Sequence, residues 1–151
     1  MKKIIFILYY FIGAQASAQW KSYYPEKNES KKAVKHQYKD KDKSLFNQYF
    51  FNALNAKSLE NFEESLKFFQ KCIKLDDSQA VAFYESAVIN KERGNFDLAT
   101  EQIKKAVSIE KDNRWFIKAY GEILFSNQDF KNAALQYKKL IALEPGNEEF
   151  Y

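Results

Sequence analysis

Four glycines and two prolines in 151 residues leave few places to turn a chain sharply. A β-sandwich or barrel asks for a turn signal about every ten residues, so this scarcity argues against both and points to helices. Cysteine occurs once, at Cys72, which excludes an internal disulfide and leaves stability to packing. Histidine also occurs once, at His36, with no cysteine or second histidine near it, so no transition-metal site is expected. No Gly-rich phosphate loop, no paired carboxylates with a positioned third group and no Ser-His-Asp set can be assembled. The chain is therefore not expected to be an enzyme, to carry a cofactor or to take a small-molecule substrate. Cys72 has no histidine or other base near it in sequence and is accounted for as a small buried hydrophobe.

What is present is apolar and aromatic: 46% and 17% of residues, enough for one folded domain. The chain opens with Lys2-Lys3, an apolar run over residues 4–12 and small residues ending in Ala16-Ser17-Ala18. That order is the one of a secretory signal peptide, and it predicts cleavage after Ala18. The run is roughly half the ~20 residues a membrane-spanning helix needs, and an uncleaved anchor is the alternative. No cysteine follows the small residues, so a lipoprotein signal is excluded and a soluble periplasmic or secreted product is expected.

The net charge of +4 is unevenly placed. Residues 19–43 carry eight lysines against four acids, whereas residues 44–151 hold fourteen bases against sixteen acids. The basic character thus belongs to the leader and to a charged, flexible linker over 19–43. Its lysines alternate with Tyr23, Tyr24 and Tyr38, a pattern that can hold single-stranded nucleic acid. Export and the use of lysine without arginine argue against that partner, leaving a solvated linker or contact with an anionic surface.

The rest of the chain repeats itself. In blocks of thirty-four residues from Phe46, the segments "NFEESLKFFQKCIKLDD", "NFDLATEQIKKAVSIEK" and "DFKNAALQYKKLIALEP" occupy the second half of each block without a gap. Each block holds two helical patterns, the second opened by a polar cap at Asn61, Asn95 or Asp129, with Asn61 and Glu64 spaced as a capping box. Small residues recur at position 8 (Ala53, Ala87, Gly121) and position 20 (Ser65, Ala99, Ala133), where two helices can approach closely. Large ones recur at position 17 (Phe62, Phe96, Phe130) and position 24 (Phe69, Ile103, Tyr137). No block can bury both its faces alone, so each relies on its neighbour. The Asp76-Asp77 pair, beside Ser78 between two blocks, is expected to cap the next helix.

This spacing resembles the tetratricopeptide repeat (TPR), with a leucine at Leu140 where an alanine is usual and a proline at position 32 only as Pro145. The resemblance implies an all-α fold: a right-handed superhelix of three antiparallel helix pairs over 46–79, 80–113 and 114–147, within a repeat domain spanning 44–147. It also implies a concave face lined by the first helix of each pair. The expected groove residues are Phe50, Leu54, Tyr84, Val88, Lys91, Trp115, Lys118, Glu122 and Phe125. One subclass grips carboxylate-ended tails with lysine and asparagine at positions 5 and 9 of its first repeat. Here those are Phe50 and Leu54, which suits an apolar or aromatic-bearing protein segment instead.

The resemblance thus implies a non-enzymatic interaction scaffold, which the leader places in the bacterial envelope. Alternatives are the input domain of a larger signalling protein or an accessory to a downstream catalytic domain. Residues 148–151, "EEFY", match the start of a fourth repeat. The last full helix is then expected to leave Tyr137, Leu140 and Ile141 partly bare, and the C-terminal end to self-associate.

Overall fold

A computed structural model of the chain describes residues 40–143 and Pro145. The leader, most of the linker and the start of a fourth repeat therefore lie outside the described residues. Those described contain six helices and no strand. The helices are α1 (Asp40–Ser58), α2 (Phe62–Leu75), α3 (Ala80–Glu92), α4 (Phe96–Ile109), α5 (Arg114–Ser126) and α6 (Phe130–Leu143). They pack as three antiparallel pairs, α1 with α2, α3 with α4 and α5 with α6, and the pairs stack through α2 on α3, α4 on α5 and α3 on α5. Helix α1 begins ahead of the first repeat block. Asp42 stands in its first turn, where a carboxylate suits the positive end of the helix dipole.

The small residues do what their spacing suggests. Ala53, Ala87, Ala99 and Ser65 are fully buried between the helices of a pair, and the Ser65 hydroxyl donates 2.8 Å to the Ala53 carbonyl of the facing helix. Beside these contacts the ring of Phe69 and the side chain of Ile103 are fully buried. In the last pair Tyr137 holds that place, only half-buried, with its ring so close to Gly121 that an added Cβ would lie 3.0 Å from it. A side chain at Gly121 must therefore displace the tyrosine.

Each pair is joined by the same turn. Glu60, Gly94 and Gln128, all at position 15, adopt left-handed backbone with φ of 57°, 74° and 61°. The following amides of Asn61, Asn95 and Asp129 reach back to the carbonyls of Ala56, Asn90 and Leu124 at 2.9, 2.8 and 2.9 Å, and the position-15 amides reach Lys57, Lys91 and Phe125. This is the Schellman ending of a helix, in which a left-handed residue lets two late carbonyls be satisfied. Only the middle pair supplies glycine for it.

The turn explains a departure at the caps. Asn61 accepts from the Glu64 amide at 3.4 Å, but its own amide is committed to Ala56. The reciprocal half of the expected capping box therefore has no donor to take. Asp129 accepts from the Asn132 amide at 3.2 Å, while Asn95 makes no side-chain cap and instead donates to Asn90. Asp76 is also not the cap of α3, whose N-cap is Gln79. Its carboxylate accepts from the Ser78 amide and hydroxyl and from the Gln79 side chain, so it ties the turn between repeats together.

One expectation about the C-terminal end is overturned. Leu140 is fully buried, because position 27 faces its own first helix. In the first pair the same position holds Cys72, whose thiol reaches the Phe46 carbonyl of α1 at 3.7 Å. Tyr137 and Ile141 are half-buried, as expected, and the more exposed apolar surface of the last pair falls on Trp115, Phe125, Phe130, Leu135 and Leu143.

Candidate functional site

Lys57 and Lys91 each end a first helix of a pair, one repeat apart. The Lys57 ammonium meets Glu85 of α3 at 2.8 Å, and that of Lys91 meets Glu122 of α5 at 2.7 Å. Both pairs bridge successive repeats on the helices expected to line the groove. Partly exposed pairs of this kind contribute about 0–1 kcal/mol each, so their main effect is to neutralise charge and fix how the first helices sit side by side. Glu122 also faces Tyr137, whose phenol is raised above its ordinary value mainly by burial and secondarily by that carboxylate.

The first helices also carry aromatic groups. The Tyr84 ring stacks on Phe116 of the next first helix, with centroids 4.9 Å apart. Arg114 lies over the Trp115 ring at 5.1 Å, and the indole is 39% exposed. Leu54, Val88, Lys118 and Glu122 are half-buried. Asn113 starts α5 by accepting from the amides of Trp115 and Phe116, which anchors the turn that carries the tryptophan.

One of the expected groove residues lies elsewhere. Phe50 is 4% exposed, stacked on Phe46 and edge-on to Phe69 at 5.6 Å. It belongs to the core of the first pair and offers a partner no surface, since burying the ring against two others is worth more than leaving it at a groove wall. Phe125 is 59% exposed, and its ring meets Phe130 edge-on at 5.2 Å beyond the α5–α6 turn. Glu85, which sequence reading passed over, is the partner of Lys57. The signal for it was a lysine ending one first helix and a glutamate at position 6 of the next.

Nothing in this surface resembles a reactive centre. Among the described residues no group of histidine, cysteine, aspartate and glutamate is arranged to hold a metal ion. Burial pushes the Cys72 thiol up to about 12, the opposite of an activated nucleophile. No described helix is long and apolar enough to cross a membrane.

The likenesses of the chain agree with this geometry. The family model of the tetratricopeptide repeat matches residues 49–79. A TPR repeat-containing protein of Methanocaldococcus jannaschii is 28% identical over 100 residues, covering 66% of this chain and 18% of that protein. The chain thus spans less than a fifth of that curated relative. The TPR domain of Arabidopsis OM64 superposes with a TM-score of 0.66 at 21% identity, over 72% of this chain and 90% of that one. The first TPR domain of Spaghetti, bound to an HSP90 peptide, gives 0.66 at 18% identity over 71% and 85%. The second TPR domain of human RPAP3, in complex with an HSP70 peptide, gives 0.67 at 13% identity over 72% and 91%. The fold is that of tetratricopeptide repeats.

Proposed function

We propose that the chain is a non-enzymatic scaffold that holds a segment of a protein partner along its first helices. The observation that carries this is the partly exposed Trp115 on α5, the helix whose Phe116 stacks on Tyr84 of α3 and whose Glu122 pairs with Lys91. A rigid surface made by stacked helices loses little freedom on binding, and exposed aromatic rings are the usual anchors of such contacts. The peptide-bound TPR domains of Spaghetti and RPAP3 support the mode but not the sequence bound. Positions 5 and 9 of the first repeat are Phe50 and Leu54 rather than lysine and asparagine, so the proposed partner segment is apolar or aromatic, to suit half-buried Leu54 and exposed Trp115, rather than a carboxylate-ended tail. Photocrosslinking from positions 84 and 115 in living cells, with the outer position 104 as control, identifies the partner. Titration calorimetry then should show binding weakened about tenfold or more by Tyr84→Ala and by Trp115→Ala. Unchanged binding in both variants overturns the groove.

The compartment is proposed from the leader: export across a bacterial inner membrane, removal of residues 1–18 and residence in the periplasm or outside the cell. The intact mass of the exported protein tests it, and a product retaining Met1 overturns it. Nucleic acid is not among the proposed partners. A second reading makes the same repeats the extracytoplasmic input domain of a larger signalling protein. The C-terminal end of the stack is a second proposed contact surface, through which the chain self-associates.

A further inference from the structure

Two lysines of the first helices carry counter-ions supplied by the next repeat, and the two joints are closed to different degrees. The Lys57 ammonium donates to Glu85 at 2.8 Å, with the two side chains 28% and 12% exposed. The Lys91 ammonium donates to Glu122 at 2.7 Å, with the two side chains 33% and 39% exposed. In both joints the lysine is position 12 of its repeat, and the glutamate is position 6 or 9 of the following one.

An acidic segment laid along these helices has to compete with carboxylates already in place. To take Lys57 it must displace Glu85, which has little water to turn to. The Glu85 charge would then be left mostly buried without a counter-ion, a penalty that a replacement ion pair does not recover. If Glu85 stays, the incoming carboxylate meets a like charge across the same ammonium. A basic segment in turn finds each carboxylate already holding an ammonium. The Lys91–Glu122 joint is the looser of the two, since both of its side chains keep more contact with water.

We infer that Glu85 and Glu122 set the specificity of the proposed binding surface: they keep its joint lysines occupied, so the partner segment crossing the joints is uncharged and an acidic segment is rejected. Specificity of this kind comes from what is made unfavourable for the wrong partner rather than from contacts added for the right one. The inference rests on the groove reading given above and names the chemistry of its occupant.

Fluorescence anisotropy with two synthetic peptides tests it. Both peptides carry the same leucines and phenylalanines, with glutamate at the remaining positions of one and glutamine in the other. The full chain is compared with a Glu85→Gln, Glu122→Gln double variant, which keeps the size of both side chains and frees both ammonium groups. The double variant should bind the glutamate peptide about tenfold or more tighter than the wild type does, with binding of the glutamine peptide changed by less than about threefold. A charge-matched control, Glu63→Gln with Glu101→Gln at exposed positions of the second helices, should show no such gain. Lys118 is present in every protein compared, so its own pull on the acidic peptide cancels. Circular dichroism checks the fold, and Glu122→Gln alone, at the more exposed joint, should show part of the gain even where loss of Glu85 weakens folding. A double variant that gains nothing overturns the inference, as does an equal gain in the charge-matched control. If crosslinking from positions 84 and 115 captures a partner while the double variant gains nothing, the exclusion falls and the groove stands. If the wild type binds neither peptide while the double variant takes the acidic one, the exclusion stands and the apolar reading of the partner falls.

Discussion

The middle and last helix pairs are written in the same thirty-four-residue spacing, yet they end with different surfaces. Between α3 and α4 the one large apolar side chain left in solvent is Leu98; on α5 and α6 there are Trp115, Phe125, Phe130, Leu135 and Leu143. The hairpins themselves match: the same turn, the same small residues at the close approach and a fully buried side chain at position 27 in Ala106 and Leu140. What differs is company. The middle pair has a described neighbour on each side and the last has one. Burial in this fold is a property of the joint as much as of the repeat.

The largest test of that difference lies at position 24. Phe69→Ala should remove about 3–5 kcal/mol and Ile103→Ala about 2–5 kcal/mol from stability, because both leave cavities in a sealed core. Tyr137→Ala should lose less than either, since its ring is half-buried and the site can collapse toward Gly121. Urea unfolding of the three variants measures it, and an equal loss at Tyr137 would erase the contrast between the pairs.

Next in size is the close approach of α5 and α6. Gly121→Leu should destabilise by about 1–3 kcal/mol through overpacking against Tyr137, whereas Trp115→Ala should stay within about 0.5 kcal/mol. A Trp115→Ala variant as unstable as Gly121→Leu would place the indole in the core and remove it from the binding surface. The turns come third. Left-handed backbone costs a residue with a side chain roughly 1 kcal/mol, so Glu60→Gly and Gln128→Gly should raise the melting temperature while Gly94→Ala lowers it. The outer two turns would then resemble the middle one.

The smallest effect is invisible near neutral pH. Burial raises the Cys72 thiol from its ordinary 9.0 to about 12, so the fold favours the neutral thiol. Its contribution is complete below pH 9 and lost as pH rises from there toward 12. Tyr120 and Tyr137 shift in the same direction. Alkaline titration of stability should therefore be less steep in Cys72→Ala than in the wild type.

The helix pairs were legible because a period held three times is a long-range signal: it needs no single residue to be read correctly. The groove was less so. Each helical residue turns the chain by about 100°, so a position rule assigns a stripe only to within a neighbour. Phe50 stands at the edge of its stripe, and Phe46 one turn earlier and Phe69 across the pair draw it inward. The ion pairs needed both ends of a joint to be read together, which is why Glu85 escaped. Caps read from Asn61 and Asp76 identified the right residues but not their bonds, since the helix-ending turn had already taken the Asn61 amide.

The three matching turns also bear on the order in which the chain assembles. Each joins helices that are neighbours in sequence, so most structure can form without closing a long loop, and the chain should fold quickly for its size. Glycine makes the middle turn the easiest to close, and the middle pair is the one that can recruit a neighbour on either side. Folding is then expected to start at α3–α4 and spread outward. Destabilising the Gly94 turn should slow folding, and destabilising α6 should chiefly hasten unfolding.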